Sequence, residues 1–139
     1  MRKDIVLCGV GGQGTVLASK LISDAAMAQG IPIMSAETIG MAQRGGSVFS
    51  HVRLGEGVYS PMIAEGEADL ILAFEPGEAV RCFPYLKEGG TVVVSNRAVM
   101  PVTAAALSSF SVSRNCQPSS VLFPILPSTV LEISRSQVT

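Results

Sequence analysis

The run Cys8-Gly9-Val10-Gly11-Gly12-Gln13-Gly14 constrains this chain more than any other stretch. It follows the short apolar segment Ile5-Val6-Leu7 and precedes a segment with helical spacing. Strand, glycine turn, helix is the order in which a backbone approaches a phosphate closely, with amides aimed at the anion and a helix N-terminus behind them. Gly9, Gly11 and Gly14 satisfy the G-x-G-x-x-G spacing, and no Gly-Lys-[Ser/Thr] ending follows, which excludes a P-loop. A dinucleotide site also wants an acidic residue about 20 positions further on. Glu37 is the candidate. Two readings stay open on these residues. One is a site for a phosphate-bearing ligand at Gly9, Gly11, Gly12, Gln13 and Gly14, with the Gln13 amide at its mouth. The other is a tight structural or interface turn.

The segments that follow predict an α/β fold, a three-layer, mainly parallel Rossmann-like sheet with an antiparallel edge. Residues 5–8 are apolar on both faces, as a buried parallel strand must be. Residues 15–29 read as a helix, with Leu17, Leu21, Ala25 and Ala28 on one face and Gly30 and Pro32 as stop signals. Residues 31–34 suggest a second strand that completes a βαβ unit. Residues 35–47 fit neither period and read as a loop or short helix. Residues 48–54 alternate as a strand, and 58–60 read as its hairpin partner across Gly55-Glu56-Gly57. Further strands are expected at 69–74 and 91–95, with a short helix at 78–86 and a stop at Lys87-Glu88-Gly89-Gly90 between them.

Beyond that point the pattern changes. All 14 glycines fall at or before Gly90, and Pro118, Pro124 and Pro127 interrupt the apolar run around Val121-Leu122-Phe123. No amphipathic helix of ordinary length can be drawn there. The expected organisation is therefore one domain over residues 1–111 and an atypical tail over 112–139. In this reading the C-terminal part is incomplete or aberrant, and a frameshift or truncation is one explanation.

Composition narrows the function classes. The net charge of −1 gives no basic surface for nucleic acid or an anionic membrane. Charged residues are 15% of the chain against a usual ~25%, which favours a surface kept against a partner. No apolar run approaches the ~20 residues of a membrane span. The start shows no secretory signal, and a cytoplasmic protein is expected. Cys8, Cys82 and Cys116 lack C-x-x-C spacing, so they read as reduced thiols, with Cys8 buried on the first strand.

Other candidate groups are weaker. Arg44, within Gln43-Arg44-Gly45-Gly46-Ser47, is placed to clamp a carboxylate or phosphate, to cross an interface, or to stand solvated on a loop. His51 is the sole histidine, without companions for a metal site, and reads as a strand histidine packed on its neighbours. Glu65, Glu67 and Asp69 read as a solvated turn. Glu75 follows a buried strand, where α/β sheets place ligands, and Glu78 lies nearby. Ser19 and Ser47 have no nucleophile-elbow context. The residues alone name no catalytic group and no metal site.

Taken together, Gly9 to Gly14, Glu37-Thr38 and Gln43-Arg44-Gly45-Gly46 resemble the gamma subunit or gamma domain of the 2-oxoacid:ferredoxin oxidoreductases. The likeness extends to Ser60-Pro61-Met62-Ile63, to residues 68–76 and to residues 90–94, and within the family it is greatest to the small (beta) subunit of indolepyruvate ferredoxin oxidoreductases. The resemblance implies a non-catalytic subunit of a complex that oxidatively decarboxylates 2-oxoacids, aryl pyruvates among them. That complex uses coenzyme A and passes electrons to ferredoxin. Thiamine diphosphate and iron-sulfur clusters would belong to a large partner subunit, with no cofactor resident in this chain. On that basis Gly9, Gly11, Gly12, Gln13, Gly14, Arg44, Gly45 and Gly46 form the expected binding surface. A stand-alone Rossmann-type nucleotide-binding domain and a truncated, non-functional product are the competing expectations.

Overall fold

The computed structural model describes residues 2–39, 46–96 and 130–134. Its elements are β1 (Lys3–Val10), α1 (Thr15–Ala28), β2 (Ile33–Ile39), β3 (Ser47–Leu54), β4 (Ala68–Ala73), α2 (Pro76–Cys82), a 3-10 turn (Phe83–Tyr85), β5 (Leu86–Ser95) and β6 (Val130–Ser134). They build one six-stranded sheet in the order β2-β3-β1-β4-β5-β6. β1, β4 and β5 pair in parallel, while β3 is antiparallel to both of its neighbours and β6 is antiparallel to β5. β2 therefore runs with β1, so four strands share one direction and β6 is the antiparallel edge. This is the expected mixed α/β sheet.

Alternation of side chains across each strand assigns the two faces. On one face Val6, Cys8, Ile71, Ala73, Val92 and Val94 pack against Ala79 and Cys82 of α2 and against Ile63 and Leu86. On the other, α1 lies over β1, β2 and β3. α1 reaches the sheet through Thr15, Ser19 and Ala26, side chains small enough to let helix and strands approach closely. The stripe Leu17, Leu21, Ala25 and Ala28, expected to be the buried face, is instead exposed, with Leu17 61% accessible. Small residues won the interface because close packing over a sheet rewards fit more than side-chain size.

Other expectations shift for identifiable reasons. Residues 58–60 are not a hairpin partner, since both edges of β3 are taken by β1 and β2. β2 extends to Ile39 because β3 supplies it with an antiparallel ladder, from Ile33↔Leu54 to Ile39↔Val48. The second strand of the expected βαβ unit thus lies one strand further out than a simple crossover places it. The helix expected at 78–86 starts earlier, at Pro76, with the Glu75 side chain accepting from the Glu78 amide at 2.9 Å. It ends at Cys82 before the proline-containing 3-10 turn. Lys87-Glu88-Gly89-Gly90 is not a stop before a strand but an irregularity inside β5, whose register with β4 jumps between Ala68↔Leu86 and Leu70↔Thr91. β6 was not anticipated. Residues 97–129 and 135–139, with Cys116 and the proline-interrupted apolar run, lie outside the described residues.

An ion network closes the N-terminal end of β1. Arg53 grips Asp4, its register partner, through two bonds: Nε to Oδ1 at 3.0 Å and Nη2 to Oδ2 at 3.1 Å. Both side chains are buried, and the remaining Arg53 nitrogen donates to the Met62 carbonyl at 2.7 Å. Asp69 accepts from the Asp4 amide and pairs with Lys3 and Lys87. Lys3, Lys87 and the Asp4 amide together hold the Asp69 carboxyl below its usual range, against its desolvation. The turn read as merely solvated thus supplies an anchor. His51, 1% exposed, makes an edge contact with Phe49 and accepts the Ile63 amide at Nδ1, 3.2 Å away. It is the packed strand histidine that its alternation suggested.

Burial lowers the His51 pKa, so the folded chain resists a proton that the unfolded chain takes up near pH 6.5. Stability is therefore complete above that pH and falls as the pH drops below it. Asp4, whose carboxyl burial holds above its usual value, contributes with the opposite sign. Urea unfolding at pH 7.5 and 5.5 is expected to show a lower midpoint at 5.5, and His51→Phe is expected to flatten that difference. A difference that persists in His51→Phe would assign the pH dependence to another group.

Candidate functional site

The glycine loop leaves the carboxyl end of β1, where an α/β sheet opens toward ligands. Its glycines serve two different needs. Gly9 is packed: an added Cβ would lie 2.7 Å from Thr15 Oγ1, 2.9 Å from Gln13 Oε1 and 3.0 Å from Phe74 Cβ. Gly12 and Gly14 have φ of 93° and 85°, a left-handed backbone that costs other residues about 1–2 kcal/mol. Gly14 caps α1 with no side-chain help, and no acidic residue occupies the first turn of the helix.

Gln13 does not project from the mouth of the loop. Its Oε1 accepts the Val10 amide at 2.8 Å and its Nε2 donates to the Phe74 carbonyl at 3.2 Å, bridging the ends of β1 and β4. The Gln13 amide itself closes a turn on the Val10 carbonyl at 3.1 Å. The Gly11 amide donates to the Gly46 carbonyl at 2.9 Å. The structure thus brings Gly46, expected at the site from its distant motif, directly against the glycine loop. Arg44 and Gly45 lie outside the described residues.

Three loop amides, those of Val10, Gly11 and Gln13, are consequently spent on internal bonds, while those of Gly12 and Gly14 have no partner among the described residues. Both residues, at the N-terminal end of α1, line an open cleft of about 320 Å³ together with Val10, Thr15, Val16 and Val48. This lining is apolar apart from backbone and one hydroxyl. It suits a surface that accepts an anionic group at its rim and an apolar body over the valines.

Glu37 does not complete a dinucleotide site. It lies on the edge strand β2, opposite Ser50 of β3, which in turn faces Leu7 of β1. Two strand spacings, about 10 Å, separate it from β1. The inserted β3 occupies the position that the acidic strand takes beside β1 in a Rossmann fold. Glu75 is engaged as the α2 cap. Glu78, 5% exposed, accepts from Ser47 Oγ at 2.5 Å and Arg81 Nη1 at 2.8 Å. A separation of 31 positions in the chain hid the acidic partner of Ser47. The pair forms a polar tie between β3 and α2.

Cys8 and Cys82 are free thiols, both buried, and their mutual contact and burial push the Cys8 thiol far up. The Cys8 thiol is therefore not a nucleophile at neutral pH. Among the described residues no group of three or more His, Cys, Asp or Glu is placed to hold a metal, and no helix is long and apolar enough to cross a membrane.

Comparison with known proteins gives a consistent result. Residues 4–127 match the family described as pyruvate ferredoxin/flavodoxin oxidoreductase. The chain is 47% identical over 106 residues to an indolepyruvate oxidoreductase subunit IorB of Archaeoglobus fulgidus, covering 76% of this chain and 52% of that protein. It is 50% identical over 99 residues to the IorB of Thermococcus kodakarensis, covering 71% and 49%. The chain thus spans about half the length of the curated relatives it matches. A keto/oxoacid ferredoxin oxidoreductase gamma subunit from Geobacter sulfurreducens superposes with a TM-score of 0.56 at 27% identity, covering 73% of this chain and 56% of the other. The 2-oxoglutarate:ferredoxin oxidoreductase of Magnetococcus marinus shares the fold, with a TM-score of 0.61 at 21% identity over 72% of this chain and 18% of that one.

The packing around Gly9 yields a stability prediction. Gly9→Ala is expected to cost about 1–3 kcal/mol, because Thr15 and Phe74 must move to admit the methyl group. Urea unfolding measures it, and an unchanged midpoint would show that the loop is more loosely packed than these distances require.

Proposed function

The chain belongs to the pyruvate ferredoxin/flavodoxin oxidoreductase family, among its small gamma-type subunits, and on that premise we propose that it is a non-catalytic subunit of a 2-oxoacid:ferredoxin oxidoreductase complex. The complex cleaves the bond between the carboxylate and the carbonyl carbon of a 2-oxoacid. Carbon dioxide leaves, the acyl group passes to the thiol of coenzyme A, and two electrons pass to ferredoxin. The identity of 46–50% to four IorB subunits carries this reading and favours aryl pyruvates such as indolepyruvate. Thiamine diphosphate supplies the carbanion chemistry, and the iron-sulfur clusters conduct the electrons. Both are assigned to a large partner subunit in the cytoplasm, and residues 1–111 are the gamma-type domain.

Within that complex, this chain's own residues shape a surface. Gln13 and Gly9 hold the loop against β1 and β4, and Gly46 fixes Gly11. Gly12 and Gly14, whose amides have no partner among the described residues, line the apolar cleft, where they meet the catalytic partner or an anionic group of its ligand. Arg44, flanked by Gly45, is placed by sequence next to Gly46 and provides the charge that the described lining lacks. A stand-alone dinucleotide-binding domain is the less favoured reading, since Glu37 lies two strands from β1.

Co-expression with the thiamine-bearing large subunit tests the proposal. The chain alone is expected to show no 2-oxoacid-dependent reduction of ferredoxin, and to co-purify with the large subunit as an active complex. Failure to co-purify, or tight dinucleotide binding by the isolated chain, would overturn the subunit reading. Arg44→Ala is expected to lower assembly or turnover about tenfold, the scale of one charge-assisted bond, without moving the unfolding midpoint of the isolated chain. Unchanged assembly and turnover would remove Arg44 from the site.

A further inference from the structure

The N-terminal half of α1 has little to hold it on the sheet. A helix of 14 residues is marginal in water by itself and takes its stability from packing. This one begins at Gly14 with no side-chain cap, and no acidic residue in its first turn meets the helix dipole. Ser23 Oγ donates to the Ser19 carbonyl at 2.9 Å, a bond that competes with the helix ladder. Little apolar surface is buried at this end. Thr15, Ser19 and, two turns on, Ala26 are the buried side chains, with Val16 and Ile22 half-buried, while Leu17, Leu21 and Met27 stay in water.

The seam beneath the helix carries unmet hydrogen-bonding groups. Thr15 Oγ1, Ser19 Oγ and Ser50 Oγ are buried and have no hydrogen-bond partner. Thr15 and Val48 line the same cleft, so they stand at one level. α1 runs back along β1 and hence in the direction of β3. Two residues along β3 advance about 6–7 Å and four along α1 about 6 Å, which brings Ser50 level with Ser19. Ser50 lies on the face that α1 covers, since its register partner is Leu7 and not Val6 or Cys8 of the α2 face. A hydroxyl buried without a partner opposes the packing that buries it. The C-terminal end of the helix is different. Gly30, at φ 70°, turns the chain, and its amide and that of Ile31 close on the Met27 and Ala26 carbonyls, both at 3.0 Å.

We propose that α1 is a hinged wall of the glycine-loop cleft, held at Gly30 and released along its N-terminal half. Thr15 and Val16 line the cleft from the helix and Val48 lines it from β3. A swing of α1 away from β3 widens the cleft and lets water reach the three hydroxyls. The motion belongs to the isolated chain and does not depend on the subunit reading.

Native-state hydrogen exchange of the full chain, read amide by amide by NMR, tests the hinge. Residues 19–23 lie beyond the first turn, where ordinary fraying ends. Their amides are expected to be at least about 100-fold less protected than those of Val6, Leu7 and Cys8, which sit between two paired strands, and less protected than those of Met27 and Ala28. Ser19→Ala and Ser50→Ala each remove one unmet hydroxyl and are expected to raise protection at 19–23 at least about fivefold. Leu21→Gln, on the water side and of similar helix propensity, is expected to leave it within about threefold. Protection at 19–23 equal to that of β1 would overturn the hinge, because α1 would then open only with the whole domain. Equally low protection from 19 to 28 would overturn it by making the helix melt as one piece, and so would exchange indifferent to both alanines.

Discussion

The Asp4–Arg53 fork is the interaction on which most of this architecture depends. It joins two buried charges across the β1–β3 ladder at a register pair. A slip of one residue would send Arg53 to the opposite face of the sheet, away from Asp4 and from the Met62 carbonyl. Breaking such a pair by removing one partner leaves a buried charge without compensation, at about 3–5 kcal/mol. The fork therefore specifies the antiparallel seat of β3 beside β1. That seat moves β2 to the edge, carries Glu37 away from the glycine loop, and leads the chain into segment 55–67 from a fixed point.

The glycine loop depends on this arrangement at the other end of the same strands. β3 begins beside Val10, so Gly46 meets Gly11 and Ser47 meets Glu78. Gln13 adds a tie from β1 to β4. The loop is thereby braced on both sides, and the amides left without a partner among the described residues are those of Gly12 and Gly14. A braced loop with few charged neighbours suits a surface completed by another subunit. At the far end Arg53 and His51 brace segment 55–67 in a comparable way, with buried side chains holding an exposed backbone.

Much of the fold was legible because β1, β4 and β5 each contain a short continuous apolar run, as a strand buried on both faces does. α1 was legible from its stop signals and from the glycine turn before it. Its buried face was not, since helical periodicity marks Leu17 and Leu21 while the sheet accepted Thr15, Ser19 and Ala26. β2 was cut short because its residues 35–39 carry mixed polar character and become a strand only through the ladder that β3 offers. At the site, the glycines and Gly46 were legible from their motifs. The roles of Gln13, Glu75 and Glu78 were not, because each depends on a partner or a chain end brought near by folding. Arg53 gave no local signal at all beyond being an arginine at a strand position that alternation predicts to be half-buried.

By itself, the sequence determined the class of fold, the place of the turn at the end of the first strand, and a family likeness strong enough to imply a partner. These follow from local hydrophobic runs, from glycines at positions where only glycine fits, and from motifs read in order. Only the tertiary structure decided the strand order, the distance of Glu37 from the loop, which amides remain free, and which apolar residues stay in water. Those outcomes depend on pairings across dozens of residues. The register of β3 on β1, held by two buried charges, is a long-range choice that no window of sequence contains.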